Sequence, residues 1–223
     1  MLTFFKKYWV YILTAICALL IVWTGILYHQ PVIRMIPLFN SLIVGILISK
    51  ASRYAPLVGS INCLIYTYVY ISLRLYANAA NAFLVGFPIQ LITFLRWNKR
   101  AYKNSTRFHK MSTFHWVVTS GCFALTFIGV NLLLSAIGGG YQLWDTTASL
   151  LDVLSNTLRM LSFREYSWIM PFGGTGSIIL NISMLREHPG QITFVIYAVH
   201  SFICIISQFF RVRKLCQEQE EIL

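Results

Sequence analysis

Eight apolar stretches occupy most of this 223-residue chain, and nearly all of its positive charge falls between alternate ones. That alternation restricts the chain to a bundle of membrane-spanning helices with a fixed direction. In hydrocarbon every backbone N–H and C=O must find a partner within the protein, so a span is a helix or a strand of a closed barrel. Runs of roughly 20 apolar residues have the length of helices. Hydrophobic residues make up 57% of the chain and charged residues 11%, against about 25% charged in soluble domains. Too little polar surface remains for a water-soluble fold, and eight spans with short loops leave no room for a soluble domain.

The hydropathy pattern predicts helices near 8–29, 35–50, 56–76, 79–97, 115–136, 144–162, 166–184 and 191–211. The second and sixth are short or polar and require shielding by their neighbours. Lys6 and Lys7 precede an apolar run longer than a signal-peptide core, with no small-residue cleavage site after it, so the first helix is read as retained.

Lys6, Lys7, Lys50, Arg53, Arg96, Lys99, Arg100, Lys103, Arg107, Lys110, Arg159, Arg164, Arg211, Arg213 and Lys214 all fall on one side of this topology. Only Arg34, Arg74 and Arg186 fall on the other. The positive-inside rule places the basic side, and with it both termini, in the cytoplasm. The net charge of +11 follows topology rather than one nucleic-acid-binding surface, so no nucleic-acid partner is expected. The basic loop 96–110 reads as a topology anchor beside anionic lipid headgroups, and the acidic tail from Gln217 as solvated. Cys17, Cys63, Cys122, Cys204 and Cys216 are scattered without a CxxC, which argues against a disulfide framework or a metal site. No cofactor motif is present.

A shift of about 112 residues lays Asn40 on Asp152, Arg53-Tyr54 on Glu165-Tyr166, Trp97 on Phe209 and Lys99 on Arg211. The helices then group as three, one and three behind an extra first helix. The expected division is an N-terminal helix (1–34), a first three-helix bundle with its basic loop (35–110), a linker helix (111–140), a second bundle (141–215) and a tail (216–223). With one helix between them, the triplets are parallel repeats. Carriers built this way bind solute between the halves.

Function must reside in the few polar groups inside the spans, since a charge at mid-bilayer costs about 2.5–3.5 kcal/mol on insertion scales and needs an interior or wet location. Asp152, Asn156 and Arg159 share one helix face, with Arg159 placed to snorkel to the cytoplasmic edge. Asp152 or Asn156 lining a solute path is the sharper alternative to a structural polar cluster. The fourth helix carries Asn81 near its outer end, Pro88, which should kink it, and Gln90, whose amide can donate and accept. Trp97 reads as an interface anchor. Asn62, Tyr66 and Tyr70 form a stripe at a spacing of four that suits either stacking on a flat ring or packing. Trp168, the Gly173-Gly174-Thr175-Gly176 run, Asn181, Tyr197 and His200 complete the candidates. The glycines read as close-contact positions, and a lone buried His is more often a packing group than a proton relay.

The stretch Tyr54–Lys103, with NAFLVGFPIQLITFLRWNKR at its heart, resembles the PnuC family of bacterial nicotinamide riboside transporters. Pro88-x-Gln90 and Trp97-Asn98-Lys99 are its clearest signs, and FREYSWIMP and the basic end of the last helix extend the resemblance over roughly 35–215. The resemblance implies an all-α fold like a full-length SWEET transporter, with two parallel three-helix bundles joined by a linker. It also implies facilitated diffusion of an unphosphorylated vitamin precursor across the bacterial inner membrane, followed by trapping through cytoplasmic phosphorylation. Asn81, Gln90 and Trp168 inherit the solute-binding role. Where the family usually carries further tryptophans and an Asn, this chain has Pro171, Gly173, Gly174, His200 and Phe209, so its pocket is altered. Nicotinamide riboside is the default solute, with thiamine, riboflavin or a deoxynucleoside as alternatives.

An enzyme is disfavoured by the absence of HExxH, GxSxG or paired carboxylates. A non-transporting receptor subunit would bind solute and move none. A homo-oligomer in the membrane is compatible with the sequence.

Overall fold

The computed structural model describes residues 2–72, 82–137, 142–186 and 189–221. Among these, eight α-helices form: α1 Leu2–Leu27, α2 Val32–Ser49, α3 Ala55–Ser72, α4 Phe87–Lys99, α5 Thr113–Ile137, α6 Gln142–Met160, α7 Tyr166–Leu185 and α8 Ile192–Glu220. Each of the eight expected segments is met by one of them. Five stretches, in α1, α2, α5, α7 and α8, are long and apolar enough to cross a membrane, and Ala55–Val69 is a shorter apolar helix. α8 continues well past its apolar part.

Local chemistry sets the helix ends. α1, α2 and α6 each close on a residue in the left-handed region, His29 (φ 49°), Ala51 (φ 49°) and Ser162 (φ 61°). In each case the next N–H reaches back five residues: Gln30 N to Gly25 O at 2.8 Å, Ser52 N to Leu47 O at 3.0 Å and Phe163 N to Leu158 O at 3.0 Å. These bonds satisfy carbonyls that the helix end would otherwise leave open. Before α4 lies one π-helical turn, Ala82–Gly86, with Pro88 in the first turn of α4. Proline lacks an N–H and its ring clashes with the carbonyl four residues back; the wider turn accommodates that clash.

Helix contacts run α2–α3, α3–α4, α4–α6, α6–α7, α7–α8 and α8–α2, closing a ring of six. α1 packs outside the α2–α8 seam, through Cys17, Ile21, Met35, Leu38 and Leu42. α5 packs on α6, and its apolar stretch Thr113–Leu132 has no buried residue. The polar α6 is shielded by α4, α5 and α7, as its composition requires. Close contact on α7 depends on glycine: a Cβ at Gly173 would lie 3.3 Å from that of Leu151 on α6, and one at Gly174 would lie 3.1 Å from the Phe202 ring on α8.

Basic residues of the 96–110 loop, the α2–α3 and α6–α7 turns and the end of α8 lie together, and one expectation changes there. The basic loop is folded, with Ala101–Tyr102 pairing antiparallel with Ser105–Thr106. The tail is docked on that hairpin rather than free in solvent. Gln219 accepts from Phe108 N at 2.9 Å and donates to Thr106 O at 3.0 Å, while Glu218 pairs with Lys103 and Glu220 with Arg164, each at 2.6 Å. The bond to Glu218 holds the Lys103 amine above its ordinary range. The hairpin also meets the α2–α3 turn, where Arg53 N donates to Asn104 O at 2.8 Å, and the α6–α7 turn, where His109 N donates to Ser162 O at 3.2 Å. Desolvation and the charge of Arg100 hold His109, whose ring centroid lies 4.6 Å from that of Phe163, below the ordinary imidazole range. Gln219→Ala removes two bonds to backbone and is expected to cost about 1–3 kcal/mol. Faster amide exchange at Phe108 would report that loosening, and unchanged exchange would show that the clasp contributes nothing.

Trp97 and Arg159 depart from expectation together. Trp97 is fully buried among Phe108, Tyr166 and neighbouring core residues. It is therefore a core residue and not an interface anchor. Its indole N–H donates to Arg159 O at 2.9 Å, and the Arg159 guanidinium carbon lies 5.2 Å from its ring centroid. Arg159 is 2% exposed, so it is held inward over an aromatic face rather than snorkelling.

Candidate functional site

Between α3, α6, α7 and α8 lies a cavity of about 240 Å³. α3 contributes Tyr66; α6 contributes Asp152 and Ser155; α7 contributes Ser177 and Asn181; and α8 contributes Phe194, Tyr197 and Ser201. α6, α7 and α8 each present polar groups one turn apart, on the same inward face. A mostly apolar hollow with a few converging polar groups is the usual form of a small-molecule site.

Asp152 is accessible from the cavity, and one of its oxygens accepts from Asn156 Nδ2 at 3.0 Å. Asn156 is thus one step behind the carboxylate and does not itself line the cavity. Ser155 Oγ is turned to the backbone, donating to Asp152 O at 3.0 Å. Asn181 donates to Ser177 O at 2.7 Å and accepts from Gln191 Nε2 at 2.9 Å. The Tyr197 hydroxyl faces Ser41 and Ser201, and Asn62 Nδ2 donates to Ser41 Oγ at 2.7 Å. A polar chain therefore joins α3, α2 and α8 behind the cavity.

Of the expected site residues, Tyr66, Asp152, Asn181 and Tyr197 line this cavity. Asn62 lies behind it, tied to Ser41. Gln90 packs against α3, where a Cβ added at Gly59 would meet its carboxamide at 3.2 Å, and it does not line the cavity. Trp168 is 57% exposed and packs edge-on against Phe209 at 4.9 Å near the basic face. Asn81 lies outside the described residues.

His200 faces away from the cavity. Its Nε2 is 2.9 Å from Thr14 Oγ1 on α1, and its ring lies against Gly45 of α2. It fastens the outer helix to the ring, which is the packing role. Thr14→Val is expected to cost about 1 kcal/mol in thermal unfolding and to leave transport unchanged. Loss of transport at unaltered stability would restore the relay reading.

Ser155, Ser177, Ser201 and Phe194 were not among the expected residues. The available signal was their spacing: Asp152 with Ser155, Ser177 with Asn181, and Tyr197 with Ser201 each lie three or four apart.

A family model described as nicotinamide mononucleotide transporter matches residues 31–210. No curated protein sequence matches the chain. A crystal structure of the vitamin B3 transporter PnuC aligns with a TM-score of 0.75 at 15% identity, covering 96% of this chain and 92% of that one. At that identity the likeness establishes the fold.

Proposed function

This chain belongs to the PnuC family of nicotinamide mononucleotide transporters, and from that premise we propose that it carries an unphosphorylated vitamin precursor, nicotinamide riboside first, through the cavity between α3, α6, α7 and α8. The chain is a multi-pass membrane transporter of the PnuC type and not an enzyme. On our reading, transport is facilitated diffusion across a bacterial inner membrane. The basic face lies in the cytoplasm, and phosphorylation there traps the solute.

One observation carries the solute path: four helices of the ring, α3, α6, α7 and α8, border a hollow into which Asp152, Ser177, Asn181, Tyr197 and Tyr66 converge. A carboxylate elsewhere in a span would be costly. The pattern of contacts also supports two related triplets, α2–α4 and α6–α8. The last helix of each meets the first of the other, α4 on α6 and α8 on α2, as a pair related by an axis along the membrane normal would. The division at 34/35, 110/111, 140/141 and 215/216 follows from that reading. α5 is the linker, and α1 is an addition held by His200.

Purified protein in liposomes should take up labelled nicotinamide riboside without an imposed ion gradient. Thiamine, riboflavin and deoxynucleosides complete the panel. Binding without uptake in the same preparation would favour a receptor subunit. Neither binding nor uptake across the panel would overturn the proposal.

A further inference from the structure

We propose that Asp152 makes the cavity selective for solutes carrying a fixed positive charge on an aromatic ring, so that cationic precursors such as pyridinium and thiazolium compounds are preferred over neutral vitamins and nucleosides. This rests on the proposed solute path and narrows what travels along it.

Among the described residues, Asp152 is the one carboxylate lining the cavity, and no Lys, Arg or His lines it. The nearest cation on the same helix face is Arg159. Seven residues on, it stands about 10 Å along the helix axis. Its guanidinium is turned over the Trp97 ring, and among the described residues it forms no ion pair with Asp152. The Asn156 amide occupies one carboxylate oxygen but brings no charge. Asp152 therefore meets the cavity with no cation in contact with it, the charge of Arg159 acting on it only across that distance.

Within a membrane, an ionisable group in that position calls for a partner or for water. A cationic solute supplies the partner. The same walls carry Tyr66, Phe194 and Tyr197, and aromatic faces attract cations, more strongly once water is displaced. A carboxylate with aromatic neighbours discriminates by charge. The remaining groups, Ser177 and Asn181, suit the hydroxyls of a sugar or side chain without reading charge.

The test uses the full chain in liposomes and two forms of one solute: nicotinamide riboside, whose ring is a pyridinium cation, and its dihydro form, which has the same heavy-atom skeleton and a neutral ring. The wild type should take up the cation faster than the neutral form by about tenfold or more, the ratio that a charge-assisted contact of modest strength supplies. In Asp152→Asn that ratio should collapse toward one. Thiamine should compete with the cation in the wild type, and riboflavin should not. Equal uptake of the two forms by wild type would overturn charge selection while leaving the transporter reading in place, and needs no variant to fold. An Asp152→Asn protein that keeps the full ratio would overturn the role of Asp152. If neither form enters, the solute reading and this inference fall together.

Discussion

Trp97→Ala is expected to lower the stability of the folded transporter by about 3–5 kcal/mol, the range for truncating a fully buried aromatic. The side chain fills the centre of the basic-end core, with Phe108 at 5.7 Å and Tyr166 at 6.2 Å between ring centroids. Truncation would open a large void there. It would also withdraw the N–H donor from Arg159 O and the aromatic face from the guanidinium. Arg159 Nε and Nη2 already lack hydrogen-bond partners, so the buried cation would be left with still less. Trp97→Phe keeps a ring and loses the indole donor, and should fall between wild type and alanine. Thermal unfolding in detergent reads the series. Trp168→Ala, at a residue 57% exposed, is the comparison, and a melting shift at Trp97 no larger than at Trp168 would contradict the buried role.

Ser177→Trp is expected to reduce uptake by about tenfold or more while leaving the helices intact. Ser177 lines the cavity on α7. An indole there occupies a large part of about 240 Å³ and would exclude a ligand that must itself fill the hollow. Val199→Trp on the outer face of α8, where Val199 is 41% exposed, adds the same bulk away from the cavity and should transport normally. Uptake preserved in Ser177→Trp, with labelled solute still saturating, would move the path elsewhere in the ring.

Hydropathy and charge alternation revealed the helices well, because lipid imposes a length and a composition on every span. They read individual side chains less well. Trp97 and an interface tryptophan share the same surroundings in the chain, an apolar run on one side and cations on the other. Only in the folded chain do Phe108, edge-on to the indole, and Tyr166 come together around it and bury it. Arg159 looked free to reach water for the same reason. Gln90 and Asn62 are polar groups at mid-span, but hydropathy does not say which of several interior seams a polar group occupies, and these two fill the α3–α4 and α2–α3 contacts. Asp152 was legible because a carboxylate in such a position has few tolerable surroundings. The serines were not, because a serine in a span can satisfy itself on its own helix, as Ser155 does.

The clasp between Gln219 and Thr106 joins residues 113 apart. At about 5–20 residues per second on the ribosome, the hairpin waits on the order of ten seconds for the segment that covers it. During synthesis the basic face is therefore open, with Thr106 and Phe108 awaiting their later partners. Anything that captures the nascent hairpin in that interval competes with Gln219 for the same backbone groups, and the end of α8 completes the assembly of this face.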